Sequence, residues 1–424
     1  MFVRALIGEH AGTAELVALC DVNPLRIKAH NRWITEAGHH PVPAYAPGDL
    51  TTMLAAERVD VLIVTSVDST HAGHIVTGLE AGCDVITEKP MTTDAEGCRR
   101  ILDAVERTGR QVSVAFNYRF NPIHETVRTL LADGAVGEIG SVHFEWLLDV
   151  RHGADYFRRW HRDRDSSGGL LVHKAGHHFD LVNWWLGARP EEVYASGRLF
   201  FYGDTGVRHG YARDYHRAHD SPQAADDPFA IRLAGNDRLQ ALYLDAEAAD
   251  GYWRDLNVFA PGVSIEDDMS VLVRYDTGAT MTYHLTAYAP WEGYRLMVNG
   301  SRGRLELEVV ESDHVSPANA GDLKGAAIVG ADGAEERGRT SLTLRRFWEP
   351  PVELPLPDRP RAGHGGADAR MTAVLLGAAK DPLDRSATAR DGALALLTGL
   401  AANRSMATGA PVRVADLLEL TRTE

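Results

Sequence analysis

Two stretches decide the fold: Val59-Asp60-Val61-Leu62-Ile63-Val64-Thr65, and, after a helical interval from His71 to Ala81, Asp84-Val85-Ile86-Thr87-Glu88-Lys89-Pro90. Both apolar runs are of strand length and rich in β-branched residues. Strands joined through a helix form a crossover unit, and such a unit makes them parallel. The second strand ends on a lysine followed by proline. Open parallel sheets bind ligands outside the carboxyl ends of their strands. A cation set there by the restricted step before proline is placed to act on a bound substrate. A solvated strand-end lysine is the plainer alternative, and the flanking sequence separates the two.

Upstream, Glu15-Leu16-Val17-Ala18-Leu19-Cys20-Asp21 reads as a buried strand ending in an acid. Downstream, Thr93-Asp94-Ala95-Glu96 reads as a capping box. It opens a helix with Cys98, Ile101, Leu102 and Val105 on one face, stopped at Gly109. Gln111 to Phe116 is a further strand. Residues 1–120 therefore predict an α/β domain with a parallel sheet between helices. Residues 121–424 predict an α+β domain. Its parts are a helix (Ile123 to Ala132), a strand (Ser141 to Leu148), one apolar helix (Gly169 to Leu186) and a mostly antiparallel, open sheet between 270 and 308. A last helix runs from Asp391 to Met406. Stretches 203–240 and 311–365, rich in Gly, Pro, Asp and Arg, read as long loops.

Composition narrows the partners. The 424 residues carry a net charge of −15, which argues against nucleic acid or an anionic membrane surface. Three cysteines (Cys20, Cys83, Cys98) show no metal-binding spacing and fit a reducing cytoplasm. No run of 18 apolar residues and no signal-peptide pattern is present.

Two places could carry chemistry. Asp21, at a strand end, suits the ribose hydroxyls of NAD and disfavours the 2′-phosphate of NADP; Arg26 nearby weakens that preference. A strand-end aspartate is also an ordinary turn former. The glycine-rich phosphate loop that should precede Asp21 would fall before Met1, and Met1 to Ile7 reads as the helix following such a loop. The expectation is that strand one and the loop lie upstream of this start, or have been lost. The second place is Gly168-Gly169-Leu170-Leu171-Val172-His173-Lys174-Ala175-Gly176-His177-His178-Phe179-Asp180. On one helix His173 and His177 share a face, as do Lys174 and His178. So many titratable groups inside an apolar helix are costly unless they line a cavity. No third ligand accompanies the histidines, so no metal is expected.

These motifs together with Asn117-Tyr118-Arg119-Phe120-Asn121-Pro122 resemble the Gfo/Idh/MocA oxidoreductases, clearly over residues 1 to about 190 and more loosely beyond. The resemblance implies that residues 1–120 are a dinucleotide-binding, Rossmann-like domain, in an NAD-dependent enzyme that oxidises a secondary alcohol of a sugar, cyclitol or related polyol and is a homo-oligomer. It implies Lys89 and His177 as catalytic, and Asp21, Asn23, Thr65, His71, Glu88, Lys89 and Asn117 as cofactor-binding. Arg119, His173, Lys174 and His178 would face the substrate. His177 would accept the alcohol proton while Lys89 holds the developing alkoxide. Where many members carry an aspartate four residues before the catalytic histidine, this chain has His173. Two alternatives stay open. One is glycoside cleavage by oxidation and elimination, for which His173, Lys174 and His178 would supply extra bases. The other is a non-catalytic sensor or partner subunit lacking the phosphate loop.

Overall fold

The computed structural model describes residues 1–316, 338–357 and 366–420. Parallel strands Val61–Val64, Asp84–Thr87 and Val112–Val114 pair in register, as their β-branched runs require. Helices His71–Glu80 and Ala95–Thr108 connect them. The second of these is capped by Asp94, whose carboxylate accepts from the Gly97 amide, rather than by the Thr93–Glu96 box. It ends on left-handed Gly109, as its sequence predicts. The strand expected over 15–21 contracts to Leu19–Cys20. It pairs in parallel with Ala44–Tyr45 in a separate two-stranded sheet.

The second lobe is built on a nine-stranded sheet. Its order is Val352–Glu353, Arg339–Arg346, Gly303–Ser312, Glu292–Gly300, Ile139–Asp149, Thr280–Ala289, Asp268–Tyr275, Pro190–Arg198 and Val412–Arg413. Only the pair of 139–149 with 280–289 is parallel. The strict in–out burial alternation along these strands leaves one face on the core and one open. Two of its strands, Arg339–Arg346 and Val352–Glu353, lie in the stretch read as a loop. Their charged, exposed positions hide the alternation that burial gives the inner strands. Helix Ala389–Thr408 packs across the covered face, its own capping box formed by Thr388 and Asp391.

Several connections tie the lobes. Ala387–Thr388 adds antiparallel to Val112–Val114, and Ala367–Leu375 joins Phe2 and Phe120 in a small core. Between residues 237 and 250, three short helical turns of the second lobe reach helix Pro24–Glu36 of the first. There Asn23 Nδ2 donates to the Ala246 carbonyl (2.8 Å), Arg26 Nε to the Leu242 carbonyl (3.1 Å) and Arg26 Nη2 to Asp250 (2.6 Å).

Candidate active site

The Asp84–Thr87 strand delivers Lys89 to the cleft between the lobes, where its ammonium meets His173 of the second lobe. Nζ lies 3.1 Å from His173 Nε2 and donates to the His173 carbonyl at the same distance. On its other side, His173 Nδ1 lies 2.5 Å from a carboxylate oxygen of Asp68. With Lys89 donating to Nε2, His173 must carry its proton on Nδ1 and donate it to Asp68. The result is a continuous line, Asp68–His173–Lys89, drawn from both lobes.

The three groups shift one another. Burial pushes the Asp68 carboxyl well above its ordinary range against the pull of Lys89 and Arg159. Burial, helped by Lys89 and Arg159, drives His173 well below its usual value and keeps it neutral. Burial also lowers Lys89, while Asp68 and Glu88 work to keep it charged. Glu88 is itself raised by burial.

Helix 169–186 is not continuous. It splits into Leu170–His173 and Gly176–Leu186, so the i,i+4 face expected of His173 and His177 does not form. His173 turns to Lys89. His177 stacks on Tyr118 (4.4 Å, 16°) with its edge to Phe116. Lys174 and His178 turn inward. Lys174 Nζ donates to the Tyr118 hydroxyl at 2.9 Å. His178 lies flat on Trp146 (4.0 Å) and bonds the Tyr283 hydroxyl, and burial keeps its ring neutral. Both, expected at the substrate, are buried and bonded to core tyrosines, although His178 Nε2 has no hydrogen-bond partner.

Other expected residues also have structural work. Arg119, expected at the substrate, is 3% exposed and gives a two-pronged pair to Asp180 (2.8 and 2.6 Å), itself 1% exposed. Burial pushes the Asp180 carboxyl up to about 6 even against this partner. His71 is fully buried, with both ring nitrogens on backbone carbonyls, of Pro90 (2.8 Å) and Ser66 (3.0 Å). It ties the two strand-end turns together. Asn23 is sealed under the 237–250 segment and caps its helix. Asn117 donates to Asp368 at 2.7 Å. Asp21 and Thr65 keep accessible surface at the carboxyl ends of their strands. Trp184 and Trp185 belong to the core. His364 lies outside the described residues.

The sequence reading missed Asp68. It follows the Val61–Val64 strand as Lys89 follows the next one, and asking which side chains crown each strand end would have found it. With His161 and His173, Asp68 also forms the one compact group of potential metal ligands among the described residues. A cation there would have to displace the His173 Nδ1 proton and sit beside the Lys89 ammonium, so the arrangement favours a hydrogen-bonded line over a metal.

Comparison with known proteins agrees with this architecture. A family model described as an oxidoreductase NAD-binding Rossmann fold matches residues 2–116. A second, the oxidoreductase C-terminal alpha/beta domain, matches residues 128–414. The chain belongs to the Gfo/Idh/MocA oxidoreductase family. It is 33% identical to the putative oxidoreductase YteT of Bacillus subtilis, over 99% of this chain and 96% of that one. An inositol 2-dehydrogenase of Rubrobacter xylanophilus is 29% identical over 34% of this chain and 39% of its own. Among solved structures, the WlbA dehydrogenase of Bordetella pertussis, in complex with NADH and UDP-GlcNAcA, has the same fold. Its TM-score is 0.61 and its identity 19%, covering 98% of this chain and 94% of that one. No described helix of this oxidoreductase is long and apolar enough to cross a membrane.

Proposed function

We propose that this oxidoreductase uses NAD to oxidise a secondary alcohol of a sugar, cyclitol or related polyol. The observation that carries the reading is the meeting of Lys89 with His173 at the carboxyl edge of the parallel sheet. Asp21 offers a half-exposed carboxylate for the ribose hydroxyls of a dinucleotide. Arg26 is committed to Asp250 and Leu242 instead of waiting for a 2′-phosphate, which favours NAD over NADP. When bound, the nicotinamide accepts the hydride.

This chain's residues do the rest. Lys89 holds the alcohol oxygen as negative charge develops on it. His177 takes the hydroxyl proton as the hydride leaves, so the alcohol becomes a ketone and one proton is released. Asp68 fixes the His173 tautomer and His173 aims the ammonium, so both act by positioning Lys89. The elimination alternative loses support, because Lys174 and His178 are turned into the core.

Titration of NADH fluorescence with the full chain, followed by NADH formation against a panel of sugars and cyclitols, tests the reading. Saturable binding and turnover that vanishes in Lys89→Met support it. Turnover undiminished in that variant would sink the assignment. Asp68→Asn should lower kcat by about 10- to 100-fold, the loss of one charged hydrogen bond, and move the pH profile while KM for NAD stays put.

A further inference from the structure

Beside the Asp68–His173–Lys89 line lies a second cluster that the reading above leaves unused. Asp155, on helix Val150–Phe157, is met by three guanidinium groups. Arg254 Nη2 donates to it at 2.5 Å, Arg159 Nη2 lies at 3.2 Å, and Arg158 Nη1 at 3.9 Å. Asp255, next to Arg254 in sequence, is already paired with Arg217. Three cations against one carboxylate leave a surplus of positive charge in a buried place. Arg254 is 1% exposed, and its Nε and Nη1, like Arg158 Nε, have no hydrogen-bond partner. Burial pulls Arg158 down to about 10. Unpartnered guanidinium N–H groups and uncompensated charge are both costly in a protein interior unless something negative arrives.

The cluster opens toward the reacting residues through Arg159, whose side chain keeps 21% of its surface. Its guanidinium sits 5.7 Å over the Tyr156 ring, and Tyr156 is 5.6 Å from His173. Trp160, the next residue, stacks on His161 at 3.5 Å and meets His173 edge-on at 6.1 Å. The Arg159 charge is felt at Lys89, Asp68 and His173. A molecule reacting at Lys89 thus has a cation on the far side of the Tyr156 and His173 rings, beside flat aromatic surfaces that suit the apolar face of a sugar. A protein whose net charge is −15 gathers positive charge here.

We infer that the substrate is a sugar bearing an anionic group, which Arg159 engages directly while Arg158 and Arg254 supply the field behind it. Guanidinium forks pair with carboxylate and phosphate alike, so the recognised chemistry is the anion. This rests on the dehydrogenase reading only in placing the reacting carbon beside Lys89.

Calorimetric titration of the NADH-loaded full chain with D-galacturonate, D-glucuronate, D-galactose, D-glucose and D-galactose 6-phosphate decides it. At least one anionic sugar should bind about tenfold or more tightly than its neutral counterpart, the worth of one charge-assisted hydrogen bond. Arg159→Gln, at a partly exposed site, should erase that preference while leaving NADH affinity within about threefold. Preference for the uronates identifies the carboxylate as the recognised group, and preference for the sugar phosphate identifies the phosphate. Absence of any preference, or no binding by any of the five, overturns the inference, as does a preference that survives in Arg159→Gln. If NADH itself fails to bind, the dehydrogenase reading falls. The same sugar comparison without cofactor then still judges the anion site, because its arginines belong to the second lobe.

Discussion

Replacing Asp180 by asparagine isolates the buried charge that joins the segment between the lobes to the second lobe. Arg119 lies in the turn Asn117–Phe120, and Asp180 on helix Gly176–Leu186. Removing one partner from such a pair costs about 3–5 kcal/mol, mostly because the other charge is stranded. Here Arg119 keeps two softer neighbours. Asp391 lies at 3.4 Å with 35% of its side chain exposed, and the Trp184 ring lies at 5.7 Å. The expected loss is therefore at the lower end, about 3 kcal/mol. With a urea slope of about 3 kcal/mol per molar, the unfolding midpoint should fall by about 1 M. Urea melts followed by tryptophan fluorescence read this directly. A drop smaller than about 0.3 M would refute the reasoning, since the pair would then contribute no more than a surface bridge. The double variant Arg119→Met with Asp180→Leu, which strands no charge, should recover to within about 1 kcal/mol of the parent.

Three further outcomes are expected. Lys89→Met should cut turnover by about a thousandfold with NADH affinity changed less than about threefold, checked by stopped-flow and fluorescence titration. His178 is buried with its pKa held well below 6.5, so only the unfolded chain takes up a proton there as pH falls through 6.5, and stability is lost in that direction. The stability advantage of the parent over His178→Gln should accordingly shrink by about 1.4 kcal/mol between pH 7.5 and 5.5, measured by urea melts at each pH. Gly153 lets helix Val150–Phe157 press against strand Thr280–Ala289. A Cβ there would stand 1.6 Å from the Ala287 carbonyl oxygen. Gly153→Ala should cost about 2–4 kcal/mol, visible as a lower urea midpoint and as loss of the sugar-anion preference through displacement of Asp155.

What the sequence made legible follows from how local each signal is. Strand 84–87 and its terminal lysine were readable because an apolar run and a proline fix them within a few residues. The Arg119–Asp180 pair was not, because nothing local separates an arginine that greets a substrate from one that satisfies an aspartate 61 positions away. The break at Lys174–Ala175 escaped for a different reason. The apolar pattern runs straight through it, and only tertiary packing sends His173 one way and His177 the other. Asp68 and the arginines around Asp155 come together from segments up to 105 residues apart, a distance over which periodicity carries no information.

The segment from 237 to 250 has a mechanical consequence. By clasping Asn23 and Arg26, it makes helix Pro24–Glu36 of one lobe depend on the folding of the other. Separating the lobes would bare Asn23 and strip its amide of a partner, so a wide opening of the cleft and a loss of native structure become nearly the same event. The two halves should melt in a single cooperative step. Whatever passes through the cleft must do so by small slackening at the rim rather than by a swing of whole lobes.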